Sequence, residues 1–374
     1  MDPLRLPLPA DALPLSIRKF GDPAAPGPAR AMAAKGLVPV RGEDLVTLLV
    51  QLSADSDEGI ADAAKRTLEG VPENVLSTAA GAPTTHPAVL DRLADIFRSQ
   101  DAVLEPIAGN HATADTTIER MARTCRDMVS EIIATNEQRM IGDPKIIEAL
   151  YKNENTRMST ADRIIELAAR HQLEITGIPA FHAHVEALSG QLIPERSDEP
   201  LPADAAFRKA LEEDAEDPEA IDIDKADGTE TLKKKYGSLR DEIGNMSNSE
   251  RIRLAQIGSA AARAILVRHA NKQVSFAAIS SPKMNGAEAT AIAHSKEISD
   301  DILRYIGNRR EWLRNYEIKR ALVFNPKTPV GISLRFLSHL REHDLKSLTR
   351  SRGVPGPLKS AATQRWQQKA KGRG

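Results

Sequence analysis

Cysteine is nearly absent from this chain: among 374 residues there is one, Cys125. A single thiol excludes an internal disulfide framework and any zinc site built on several cysteines. It suits a reducing cytoplasm, the compartment expected here. Aromatic residues are scarce as well, at 3%. Deep substrate pockets are usually lined by such side chains, so their scarcity argues against one. No window approaches the ~18 apolar residues that a membrane-spanning helix needs, so no membrane insertion is expected. The opening MDPLRLPLPADALPLS sets prolines where a secretory signal needs an unbroken apolar run. Neither a P-loop nor a Rossmann glycine pattern occurs, and no GxSxG elbow, so phosphate-cradle and serine-nucleophile chemistry have no foothold.

What the chain does have is helical patterning cut by polar turns. The stretch from Asn308 to Thr328, NRREWLRNYEIKRALVFNPKT, reads as a short turn, a helix and an Asn-led turn that opens the next helix. A weaker copy, NEQRMIGDPKIIEALYKNENT, runs from Asn136 to Thr156, 172 residues upstream. In that register Asn136, Ile146, Ala149, Leu150, Asn153 and Thr156 meet Asn308, Ile318, Ala321, Leu322, Asn325 and Thr328. Arg163, His171 and Leu173 then meet Arg335, His343 and Leu345. The matches fall on apolar helix positions and on the turns between helices. The expected fold class is all-α, an irregular α-solenoid of short helix pairs in two related halves. Asparagine suits such turns, because it tolerates left-handed φ and its amide can satisfy helix-end backbone groups.

Local signals agree with that reading. Leu45, Leu48, Leu49 and Leu52 form one apolar stripe at helical spacing. Thr85 or His86 is an N-cap ahead of Pro87, and Asp143-Pro144 and Thr328-Pro329 make the same kind of start. Ser247 and Glu250 fit a capping box. Between these helical regions the composition changes: from Glu195 to Glu230 there are 14 acidic and 4 basic residues. The expected organisation is a disordered or loosely draped Pro-rich arm (1–30), a first helical module (31–190) and an acidic flexible linker (191–235). The linker holds at most one transient helix around Phe207 to Leu211. A basic helical module (236–362) and a fraying basic tail (363–374) follow.

The turn NPKTP at 325–329, followed by the apolar helix of Ile332, Leu334, Phe336 and Leu337, resembles a HEAT-like or leucine-rich-repeat-variant unit. APTTHP at 82–87 is a degraded version. With SPKMN (281–285) and REW (310–312), the segment from about Ser247 to Ala362 is similar to bacterial proteins of this helical-repeat type. The resemblance implies a right-handed stack of helix pairs with a binding role, and it carries no catalytic residues.

Candidate chemistry is thin. His339 and His343 sit four apart on what reads as one helix, the spacing of a two-histidine metal site. No HExxH accompanies them, and a zinc site needs at least one more ligand. His182 and His184 diverge on a helix, and Cys125 reads as a small core residue. No catalytic residue, cofactor or metal is assigned, and an enzyme is not expected.

Charge is the feature with functional content. The chain carries a net charge of −1, but from Arg251 onward there are 24 Lys and Arg against 8 Asp and Glu, so the last third is strongly basic. Arg309, Arg310, Arg314, Lys319 and Arg320 gather around Trp312 and Tyr316, and Arg350 and Arg352 follow. Arginines along a helical surface can track phosphates, and an aromatic among them can stack on a base. Trp312 aligns with Met140 and is expected in the core. The expected function is a non-enzymatic scaffold or adaptor that binds a protein partner. The alternative is nucleic-acid or other polyanion binding through the basic half.

Overall fold

The computed structural model describes residues 4–212, 221–223, 230–233, 236–351 and 353–371. The fold is all-α: among those residues every regular element is helical except one antiparallel ribbon, Ile221–Ile223 (β1) with Glu230–Leu232 (β2). The chain divides into two compact units. One takes Met1–Ile175 and Glu195–Glu199, the other Thr176–Pro194 and Pro200–Gly374.

Unit 1 runs α1 (Leu15–Gly21), α2 (Gly27–Ala34), α3 (Gly42–Leu52), α4 (Glu58–Glu69), α5 (Glu73–Gly81) and α6 (Pro87–Ile96). It continues with α7 (Asp101–Gly109), α8 (Asp115–Ala122), α9 (Asp127–Thr135), α10 (Glu137–Gly142), α11 (Pro144–Lys152) and α12 (Met158–Arg170). Helices pack on the next but one. α1 on α3, α3 on α5, α5 on α7 and α7 on α9 make one row, and α6 on α8 and α8 on α11 belong to the facing row. Each helix is too short to be stable alone in water. Burial between rows supplies what propensity cannot. Leu48, Leu49, Leu90, Leu93, Ile146 and Leu150 are fully buried, each contributing roughly 1.5–3 kcal/mol.

Unit 2 holds α13 (Phe181–Leu188), α14 (Pro202–Glu212), α15 (Gly237–Asn245), α16 (Asn248–Ile257), α17 (Ala260–Leu266) and α18 (Lys272–Ile279). Then come α19 (Gly286–His294), α20 (Asp300–Ile306), a 3-10 turn (Trp312–Arg314), α21 (Tyr316–Phe324), α22 (Val330–Leu337), α23 (Glu342–Arg350) and α24 (Gly356–Lys371). The stacking repeats: α16 on α18 and α18 on α20, with α17 on α19 and α19 on α21. Inside this unit Arg263 and Glu288 form a bidentate pair at 2.8 and 2.9 Å, both side chains buried. Arg263 also donates to Gly258 O at 2.7 Å. The guanidinium thus fixes the start of α17 to the start of α19, where Glu288 completes a capping box with Asn285.

One turn recurs in both units. Asn110 Nδ2 donates to Ala80 O and Ala82 O at 2.8 and 2.9 Å. Asn153 Nδ2 reaches Ala122 O and Cys125 O at 3.0 and 2.8 Å, and Asn325 Nδ2 reaches Ala293 O and Ser295 O at 2.9 and 2.7 Å. Each Oδ1 accepts from the backbone N–H two residues on, at Ala112, Asn155 and Lys327. A buried asparagine thus closes its own turn and ties it to the helix end about thirty residues earlier. The APTTHP turn has Ala82 where the others have asparagine, and keeps only the threonine, whose Oγ1 donates to Ala79 O at 2.6 Å.

The internal match holds in its central part. Ile146 and Ile318, Leu150 and Leu322 are all fully buried, and Asn136 and Asn308 both lie between helices. It ends after the Asn153 and Asn325 turns. α12 continues unbroken past Arg163, whereas α22 stops at Leu337, so His171 caps a helix while His343 lies within one. Among the caps, His86 accepts from Ala88 N, Asp143 from Lys145 N, and Ser247 with Glu250 forms the capping box.

Several boundaries differ from the sequence reading. Residues 4–30 are packed rather than draped: Leu8, Leu13 and Ile17 are buried, and Gln51 clasps the segment. Its Nε2 donates to Leu8 O and Gly21 O, both at 2.9 Å, and its Oε1 accepts from Leu8 N at 2.7 Å. Much of 191–212 is also held. Arg157 Nη1 donates to Ser197 O at 2.8 Å, and α14 packs on α15 and α16 with Phe207 and Ala210 buried. Two apolar residues one turn apart gave that helix a face to bury despite its acidic surroundings. Residues 213–220, 224–229 and 234–235 of the expected linker lie outside the described residues. α13, assigned by sequence to the first module, packs on α16 and α18 in unit 2. α24 carries the helix past residue 363 as far as Lys371.

Candidate functional site

A groove of unit 2, about 490 Å³ in volume, lies between α18 and α20. α18 (KQVSFAAI) turns Val274, Ala277 and Ala278 into the core, which leaves Phe276 on the open face, 44% exposed. α20 does the same with Ile302, Leu303 and Ile306 inward and Tyr305 half-buried. The Phe276 and Tyr305 rings meet edge to face at 5.2 Å and 81°. Tyr305 meets Trp312 of the 3-10 turn at 6.1 Å and 63°. Such edge contacts suit the ring quadrupoles.

Arg309 completes the cluster. Its guanidinium lies 5.0 Å from the Tyr305 ring centre and 5.7 Å from that of Trp312, and its Nε donates to Tyr305 Oη at 3.0 Å. The turn before Arg309 is fixed by close packing: a Cβ on Gly307 would sit 2.8 Å from Ile332 Cγ2. Across the groove Lys272 pairs with Asp301 at 3.0 Å; the hydrogen bond to Asp301, then its charge, pushes the lysine pKa up. Phe276 and Tyr305 line the groove together with Lys272, Asp301 and Arg304, and Trp312 and Arg309 extend the ring cluster from Tyr305.

The basic residues singled out by sequence separate into two groups. Arg309 lies against the Tyr305 and Trp312 rings, and Arg310 and Arg314 are exposed, without an ion pair among the described residues. Arg320 turns inward: its Nε donates to Asp344 Oδ1 at 2.9 Å and its Nη1 pairs with Glu317 at 3.3 Å. Tyr316 goes with it, hydrogen-bonded to Asp344 and stacked under Arg341 at 4.5 Å. Lys319 is half-buried on α21, Arg350 is exposed at the end of α23, and Arg352 lies outside the described residues. Trp312 is half-buried against Tyr305, where Met140, its counterpart in the internal match, is buried. Phe276 and Tyr305 were missed by sequence reading. The signal was present: each is the one aromatic of its helix and lies off the apolar stripe.

The remaining candidates resolve simply. His339 and His343 are not on one helix; α22 ends at Leu337 and α23 begins at Glu342, so the two rings sit on different elements. No group of three or more His, Cys, Asp or Glu side chains is placed to hold a metal among the described residues. His184 is buried in α13 and His182 is exposed. Cys125 is buried, and burial pushes its thiol up to about 12, which keeps it protonated and unreactive. No helix among the described residues is long and apolar enough to cross a membrane. No protein-family model, curated protein or solved structure matches the chain.

Proposed function

We propose that this chain is a non-enzymatic, HEAT-like helical-repeat scaffold whose unit 2 groove holds an acidic segment of a partner protein, anchored by one apolar side chain. The observation that carries the reading is the Phe276–Tyr305–Trp312 cluster with Arg309 laid over it. Aromatic and arginine side chains dominate binding energy at protein interfaces, where they form desolvated anchors. Here three of the chain's few aromatics meet, and two of them, Phe276 and Tyr305, line one open groove. The excess of basic residues after Arg251 favours an acidic partner and speeds its encounter.

Trp312 makes the test direct. The chain has two tryptophans, so replacing Trp366 by Phe leaves Trp312 as the sole reporter beside the groove. Peptides with acidic residues flanking a single Leu or Phe are titrated against the intact protein. Saturable quenching or shift of Trp312 emission, weakened at least about tenfold by Phe276→Ala, supports the reading. Peptides that leave the emission unchanged, or that bind Phe276→Ala equally well, overturn it.

The same cluster supports a second reading, single-stranded nucleic acid, because bases stack on exposed aromatics flanked by arginine. A labelled single strand and a labelled duplex, titrated at several salt concentrations, separate the two. Single-strand binding that needs Phe276 and falls steeply with salt replaces the peptide reading.

A further inference from the structure

The groove between α18 and α20 is not uniform along its length. The two helices run parallel there: Lys272 meets Asp301, and four residues further on in both, Phe276 meets Tyr305. Along this stretch the charges cancel in pairs. Lys272 is matched by Asp301 at 3.0 Å, and Arg304 by Asp300 at 3.7 Å. The other polar side chains in the lining are neutral and uncommitted. Gln273 and Ser299 make no side-chain hydrogen bond among the described residues. Asn308 Oδ1 accepts from Arg335 Nη2 at 3.4 Å, which leaves the Asn308 Nδ2 a free donor.

Past Asn308 the character changes. The chain runs straight into Arg309, Arg310 and Arg314, with Glu311 the one acid among them. Arg309 is held against the Tyr305 and Trp312 rings, and Arg310 and Arg314 are exposed. None of the three has an ion pair among the described residues. One end of the groove is therefore electrically balanced, and the other is followed by an excess of positive charge.

We propose that the groove seats an extended stretch of about three partner residues, and that the partner's acidic residues follow on one side of that stretch only. This rests on the groove being a peptide site and adds the partner's form and register. Length sets the form. From Asp301 to Asn308 the wall is ~10 Å long, at ~1.5 Å per helical residue. An extended chain advances ~3.3 Å per residue, so about three residues fill it. One apolar side chain of the three packs on Phe276 and Tyr305, and the free amides of Gln273 and Asn308 meet the partner's main chain. Charge sets the register. Beside Lys272 and Asp301 an acid gains nothing, whereas beyond Asn308 it meets unpaired guanidinium groups, and complementary charge fixes register across an interface.

Fluorescence anisotropy of labelled peptides on the intact protein tests the proposal. Each peptide has an Ala-Leu-Ala core, with three aspartates before it, after it, on both sides, or replaced by serines. All are shorter than the ~12 residues that an isolated helix needs; a longer, helix-forming version is the control. Aspartates on one side should tighten binding at least about tenfold over the serine peptide, and on the other side by less than about threefold. Aspartates on both sides should add little to the better of the two. Arg310→Gln with Arg314→Gln should cut the gain to less than about threefold, with circular dichroism matching the wild type. Equal gains from the two sides, or a gain that the double variant keeps whole, overturn the inference and leave the groove reading standing. So does binding by the helix-forming peptide alone. No binding by any peptide overturns both.

Discussion

Asn325 satisfies more backbone groups than any helix-capping residue near it. Its side chain serves Ala293 O, Ser295 O and Lys327 N, all from a position 5% exposed. Replacing it by alanine leaves two carbonyls and one N–H without that partner, at ~1–3 kcal/mol for each group that stays dry. Asn325→Ala is therefore expected to destabilise unit 2 by about 2–4 kcal/mol in urea unfolding. Asn315→Ala, which removes only the cap on Glu317 N, should cost about 1 kcal/mol. Equal losses would mean that the cross-turn bonds contribute little. Asparagine at these turns was legible in the sequence, since its tolerance of tight turns is a local property. Its bonds to a turn about thirty residues away were not, because they depend on how helix pairs stack.

At the scale of elements, α21 and α23 are joined through Asp344, whose side chain is 2% exposed. Burial pushes its pKa up, but hydrogen bonds from Tyr316 and Arg320, with the charges of His343 and Arg320, outweigh it and hold the pKa below the ordinary value. Burial, then the bond to Asp344, raises the Tyr316 pKa. A carboxyl depressed on folding contributes stability that is complete above its unfolded pKa, near 4, and lost as pH falls through the folded value. The thermal midpoint should therefore drop on acidification below about pH 4, and Asp344→Asn should lose part of that drop while starting lower at neutral pH. A variant whose acid profile matches the wild type would remove Asp344 from the account. The sequence showed where α6, α11 and α16 begin, because caps are local chemistry. It did not show the break between α22 and α23: SLRFLSHLREHDLKSL keeps a helical pattern through the turn at Ser338–Arg341. The groove was half legible. Tyr305, Arg309 and Trp312 stand close together in sequence, but Phe276 comes to them only through the packing of α18 against α20.

For each unit as a whole, the unexpected finding is how much chain is packed. The N-terminal segment reads as a proline-rich arm because local composition cannot reveal a buried glutamine waiting on α3. Gln51→Leu should free residues 4–22, destabilise unit 1 by about 2–4 kcal/mol and speed hydrogen exchange at Leu8, Leu13 and Ile17. Unchanged exchange at those amides would show that apolar burial alone holds the segment. In unit 2, α14 should exchange slowly through Phe207 and Ala210. The asparagine turns carry a mechanical consequence. Each fastens its own turn to the helix end about thirty residues before it, so under tension the links are loaded in series and not shared. A single molecule pulled between its ends should yield in small steps of roughly thirty residues, each marking one asparagine letting go, and Asn153→Ala should fuse two neighbouring steps into one.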